Sequence, residues 1–139
     1  MPKITVEAFN GVIADDLPWA AELGMCAVSI GTGTAVLRLP YDNNMLRPGG
    51  TVSGPFMMAL ADAAMYAVVM SVIGEVKLAV TTSFNINFLH RPQPGDLLAD
   101  GKILKLGKRL AVVETTLHSD GFDEAVAHAT GTYSIPPGR

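Results

Sequence analysis

The sequence predicts an α+β fold, a mostly antiparallel sheet wrapped around one long central helix, and three observations predict it. Residues 56–73, FMMALADAAMYAVVMSVI, form a continuous apolar run with a single charge, Asp62. Residues 78–89, LAVTTSFNINFL, alternate between apolar and polar with the period of a strand. The strand-like segments after them are joined by short turns, which suit hairpins and are too short for the crossovers of a parallel sheet.

The elements follow in order. Residues 6–15 suggest a short leading helix. Gly24 to Ile30 and Ala35 to Leu39 read as a hairpin around Gly31-Thr32-Gly33. The apolar helix comes next, with Ser53 as N-cap, Pro55 in its first turn and Gly74 as its C-terminal stop. In the 78–89 strand, Leu78, Val80, Phe84, Ile86 and Phe88 share one face, and Ala79, Thr81, Ser83, Asn85 and Asn87 the other. Asp96 to Leu104 and Arg109 to His118 form two further strands about the turn Leu106-Gly107-Lys108. Ser119-Asp120-Gly121 marks a second turn, and Glu124 to Ile135 closes the sheet.

The chain of 139 residues predicts one domain over residues 1–139 with a short N-terminal helical lead-in. Hydrophobic residues make up 49% and charged residues 17%, which suits a packed core and excludes a disordered tail. A net charge of −3 supplies no basic field for nucleic acid. The single cysteine, Cys26, has no internal disulfide partner and sits in an apolar strand as a small hydrophobe. It points to a reducing compartment, and a cytoplasmic location is expected. The first residues lack the apolar run of a signal peptide.

The apolar run is near the length of a membrane span. Against that, Asp62 would lie in hydrocarbon and no Lys/Arg cluster flanks either end, so a buried core helix is expected, with no membrane partner. About twenty residues rise roughly 30 Å, enough to cross a small domain. A helix apolar on nearly all sides needs cover on nearly all sides, and one sheet supplies one side. A second copy of the chain in a homodimer is the economical cover. A sheet around such a helix is the hotdog arrangement.

The stretch RPGGTVSGPFMMALADAAMYA resembles the signature of hotdog acyl-CoA thioesterases of the phenylacetate-pathway (PaaI-like) type. That pattern is Asn, five residues, His-Gly-Gly, four residues, Leu-x-Asp and a helix of small residues. It places Asp62 on the family acid, Ser53-Gly54-Pro55 on His-Gly-Gly and Arg47 on Asn. AVTTSFNINFLHRPQPGD resembles the strand that carries a Ser or Thr, here Thr81, and LKLGKRLAVVETTL with AVAHATGTYSI resembles the closing hairpin. The resemblance spans roughly residues 22 to 136. It implies hydrolysis of an acyl-CoA or aryl-CoA thioester by a homodimer, or by a dimer of such dimers. Coenzyme A would be part of the substrate, with no other cofactor.

The residues themselves allow this chemistry. A carboxylate inside an apolar helix is either a satisfied structural group or one kept for reaction. On a thioester, Asp62 would act as general base toward water or attack directly. The Gly54 N–H, an unpaired donor at the positive end of the helix dipole, can hold a carbonyl oxygen as it gains charge. Eight residues separate the two, about 12 Å along the axis, so one helix cannot bring both to one carbonyl. Two antiparallel helices across a dimer can. Thr81, on the polar face of its strand, is placed to orient water, with the hydroxyls of Thr82 and Ser83 one register step away.

Three positions depart from the family pattern. Arg47 replaces an amide; it would polarise the carbonyl, hold a CoA phosphate or pair with Asp62 and quench it. Ser53 replaces His and serves as a cap. Pro55 lacks an N–H, leaving Gly54 as oxyanion donor. Around the site, Met58 and its neighbours Met57, Met65 and Met70 fill core or form an adaptable wall for an acyl chain. Residues 77–109 hold six basic residues against two acids. Of these, Lys105, Lys108 and Arg109, joined by Arg91, are candidates for the CoA phosphates.

Other chemistries find less support. His90, His118 and His128 are widely spaced and show no zinc-ligand pattern, so no metal is expected. No Gly-x-Ser-x-Gly elbow is present. The rival readings are a non-catalytic acyl-CoA binding protein and a hotdog enoyl-CoA hydratase. The hydratase needs a His shortly after its Asp, and none follows Asp62 until His90.

Overall fold

A computed structural model describes residues 1–138. The chain begins with helices α1 (Val6–Asp16) and α2 (Pro18–Glu22). The hairpin β1 (Cys26–Gly31) and β2 (Thr34–Leu39) follows. After a 3-10 turn at Asn43–Met45 comes the two-stranded ribbon β3 (Leu46–Arg47) and β4 (Thr51–Val52). The long helix α3 (Gly54–Ile73) precedes β5 (Val80–Phe88), β6 (Leu97–Leu106), β7 (Leu110–Ser119) and β8 (Ala125–Ser134). The six main strands form one antiparallel sheet in the order β1-β2-β6-β7-β8-β5. This is the expected α+β architecture, the hotdog fold. Helix α2 and the β3–β4 ribbon have no apolar periodicity and were not foreseen.

Helix α3 crosses the sheet diagonally, and its neighbours trace the path. A side chain at Gly54 would meet the Phe88 ring on β5. Met65 presses on Gly131 of β8, Val68 on Gly101 of β6, and Val72 approaches Gly33 in the β1–β2 turn. A Cβ at Gly101 would lie 2.7 Å from Val68 Cγ2, and one at Gly131 2.6 Å from Met65 Sδ. Glycine on the inner sheet face is what lets the helix sit this close. At the far end, Ser71 Oγ accepts from Gly33 N–H at 2.9 Å and donates to Val68 O at 2.6 Å, tying the helix to the β1–β2 turn.

The helix is covered largely by its own chain. The sheet takes one side. The N-terminal segment takes another, with Phe9 of α1 edge-on to Tyr66 at 6.1 Å and Lys3 N–H donating to Ser71 O. The N-terminal segment thus covers part of what the sheet alone leaves open. A stripe remains open: Pro55 and Met58 are exposed, and Ala59 and Asp62 half-buried. Met57, Met65 and Met70 are buried in the core, while Met58 is 40% exposed.

Three further expectations are corrected. Ser53 occupies the N-cap with extended backbone, but its side chain makes no capping hydrogen bond. Cys26, opposite Arg38, is half-buried. The clean alternation of residues 78–89 breaks at a bulge: Thr81 pairs with Tyr133, yet Ser83 pairs with the adjacent Thr132. The extra residue, Thr82, reverses the parity of the strand. Ala79 and Thr81 therefore face the helix together with Phe84 and Ile86, whereas Leu78 and Val80 turn outward and are exposed.

Candidate active site

The bulge brings a hydroxyl to the one charge on α3. Thr81 Oγ1 donates to Asp62 Oδ1 at 2.7 Å. Tyr133 of β8, directly across the ladder from Thr81, places its hydroxyl 2.7 Å from the same Oδ1 and 2.9 Å from the Asp62 main-chain oxygen. Burial, and next the Asp62 charge, push the Tyr133 phenol well above its ordinary range, so it stays a donor. The Tyr133 ring stacks on Tyr66, whose hydroxyl donates to Lys77 O.

Asp62 opens onto two cavities. One, of about 340 Å³, is walled by Trp19, Pro55, Met58, Ala59 and Phe84, with Asp62 and Thr81 as its polar residues. The other, of about 180 Å³, lies beside Tyr66, Lys77, Val80 and Tyr133. Trp19, on α2 and 44% exposed, lines both. Apolar walls around a small convergent polar group are the usual make-up of a small-molecule site.

Sequence reasoning missed Tyr133 and Trp19. For Tyr133 a signal existed. The inward positions along β8 and the residue just past it are Ala127, Ala129, Gly131, Tyr133 and Ile135, so Tyr133 alone among them carries a side-chain polar atom. Its hydroxyl needed a buried partner, and Asp62 needed a donor. Trp19 carried no such signal, because α2 is a five-residue helix.

The remaining candidates fall elsewhere. Arg47 lines a cavity of about 370 Å³ with Gly54, Phe88 and Arg91, apart from Asp62, and forms no ion pair with that carboxylate. Among the described residues, no acceptor takes the Gly54 N–H. Ser53 is held to Met45 through its main chain. Lys108 and Arg109 flank a small cavity with Pro137 and Gly138 at the β6–β7 turn, and Lys105 lies exposed on the adjoining end of β6. Arg91 follows β5 at the opposite end of the sheet, so the four basic residues do not form one cluster within a chain. The histidines make surface pairs with carboxylates: His90 with Glu124, His118 with Asp100 and His128 with Glu114. No group of three metal-ligating side chains occurs among the described residues.

The wrapped sheet and central helix define a hotdog protein. The Thioesterase superfamily profile matches residues 49–126, more than half of the chain. The chain belongs to that superfamily, and thioester hydrolysis is its reaction class. It is similar to a protein of Silicibacter sp. TM1040, provisionally named a thioesterase. That likeness has 38% identity and a TM-score of 0.89 over 99% of this chain and 95% of the other. It also resembles a mutant of the phenylacetic acid degradation protein PaaI from Thermus thermophilus, with 27% identity and a TM-score of 0.76 over 86% and 99% of the two chains. A provisionally named esterase of Thermoplasma volcanium is 32% identical over 76% of this chain and 78% of its own length.

Proposed function

We propose that the protein hydrolyses an acyl-CoA or aryl-CoA thioester, with the Asp62 carboxylate as the general base that activates water or as the nucleophile that attacks the carbonyl itself. The observation that carries this reading is the Asp62 carboxylate, held through Oδ1 by Thr81 and Tyr133 at the edge of a mostly apolar cavity. In the water-activating form, Asp62 takes a proton from water as the oxygen adds to the thioester carbon. The tetrahedral oxyanion collapses, the C–S bond breaks, and the CoA thiolate takes up the proton. Coenzyme A enters as part of the substrate, and the chemistry calls on no metal or other cofactor.

The oxyanion donor in this proposal is the Gly54 N–H of a second copy. Two features support a twofold pairing. β5 is an edge strand of nine residues, uncovered, with Val80, Phe88 and nearby Leu89 each about half exposed. Such an edge is a ready template for another strand. Asp62 lies beside β5, so a partner joined there would bring its own antiparallel α3 toward this carboxylate. Pro55 and Met58 would wall the acyl group. Arg91 and Arg47 beside Gly54 would meet the CoA phosphates of a site whose Asp62 belongs to the other copy. Lys105, Lys108 and Arg109 are the alternative anchor at the opposite end.

Thiol release from a panel of CoA esters tests the activity, and Asp62→Asn should abolish it. Binding without release would instead mark a non-catalytic acyl-CoA binder. Gly54→Pro removes the donor N–H at the first helical position, which suits proline, with the half-exposed Phe88 ring giving way to the new ring atoms. Refolding a mixture of the Asp62→Asn and Gly54→Pro chains should restore about a quarter of wild-type activity, because half of the dimers are mixed and each holds one intact site. No restored activity would sink the shared site.

A further inference from the structure

We propose that Tyr133 is a positioning residue: with Thr81 it commits Oδ1 of Asp62 to the protein and leaves Oδ2 as the oxygen that meets water or thioester. This rests on reading Asp62 as the working acid.

The argument is geometric. Two hydroxyls converge on Oδ1 at 2.7 Å, one from β5 and one from β8, while no described residue donates to Oδ2. A side chain held on one oxygen from two strands has its rotation fixed, so its free oxygen is aimed before substrate arrives. Tyr133 has a second grip that Thr81 lacks. Its hydroxyl also stands 2.9 Å from the Asp62 main-chain oxygen, so it registers the helix turn as well as the side chain. Its single proton can serve only one of these acceptors at a time. Thr81 therefore holds the carboxylate when the tyrosine proton turns to the main chain. The ring is fixed independently by stacking on Tyr66, with centroids 6.2 Å apart and an interplanar angle of 18°. Removing the hydroxyl alone should leave that packing in place.

The titratable surroundings are few. Tyr66 on α3 and Lys77 on the loop before β5 line the smaller cavity with Asp62. Lys77 is paired with Asp16 of the α1 end at 2.8 Å and lies 3.8 Å from Glu75. Among the described residues none of these donates to Asp62, so the two hydroxyls alone orient its carboxylate.

Tyr133→Phe is the direct test. The expected result is a kcat roughly tenfold lower with KM unchanged within about twofold. A merely structural tyrosine would lower the unfolding midpoint and leave the kcat-against-KM split where it is. Wild-type kcat, with Asp62→Asn inactive, would overturn the proposal and leave the Asp62 reading intact. Activity surviving in Asp62→Asn would bring down that reading itself. Should Tyr133→Phe fail to fold, replacing Tyr133 site-specifically by 4-fluorophenylalanine keeps nearly the same shape without the donor. The kcat should then fall by a similar factor with KM held, and wild-type kcat would equally overturn the proposal.

Discussion

Thr81 reaches Asp62 across 2.7 Å only because one surplus residue, Thr82, interrupts the strand pairing before Phe84. In an unbroken strand Thr81 and Phe84 would face opposite sides. Thr81→Val keeps the shape and removes the hydroxyl. We expect kcat to fall about tenfold with the unfolding midpoint little changed, since the site is only half-buried. Steady-state kinetics with thermal unfolding checks this; wild-type kcat would show that the hydroxyl is an ordinary strand group.

How much of this was legible in the sequence depends on whether a feature is periodic or singular. Helix α3 announces itself by length, its lone Asp62 and its terminal Gly74. The β6–β7 and β7–β8 hairpins follow from alternation and turn residues. The bulge does not, because Thr81, Thr82 and Ser83 are interchangeable in size and polarity, so no side chain marks which one is surplus. The same ambiguity put Thr81 on the wrong face. Tyr133 and Trp19 were missed since they lie 71 and 43 positions from Asp62 and meet it only through strand order and helix packing.

Trp19 stands between the two cavities at Asp62 and contributes to both walls. Trp19→Ala should merge them and enlarge the space for the acyl group. The preference for long over short acyl esters, as a ratio of kcat/KM values, should rise by about tenfold or more. An unchanged ratio across a chain-length series would place the acyl group elsewhere.

The glycines beneath α3 differ in what they press against. Both have a main-chain oxygen near, Ala64 O at 3.5 Å for Gly101 and Ser83 O at 3.3 Å for Gly131, but Gly101 faces the branched Val68 and Gly131 the unbranched Met65 thioether. Gly101→Ala should therefore destabilise by about 1–3 kcal/mol, and by more than Gly131→Ala. Urea unfolding of the two variants measures the order; a reversed order would mean that the helix, rather than the side chain, yields.

Burial and the Asp62 charge hold the Tyr133 phenol protonated above its ordinary range. The native state therefore binds that proton more tightly than the unfolded chain does. The resulting stability is complete below about pH 10 and is lost as pH rises beyond it, where the unfolded chain ionises first. Tyr66, also raised chiefly by burial, adds to the same loss. Urea midpoints between pH 8 and pH 11 should fall more steeply for wild type than for Tyr133→Phe, and equal slopes would count against the buried phenol.

The Thr82 bulge also bears on how this chemistry could persist or change over generations. Dropping that one codon would set Thr81 directly before Ser83 and still opposite Tyr133, so β5 and β8 would pair regularly with the hydroxyl facing inward. Absorbing Thr82 into the ladder opposite Tyr133 would instead send Thr81 outward and bring the neighbouring hydroxyl to the acid. Either way a hydroxyl-bearing side chain stays beside the carboxylate, so a run of two threonines makes the site tolerant of slippage in this strand.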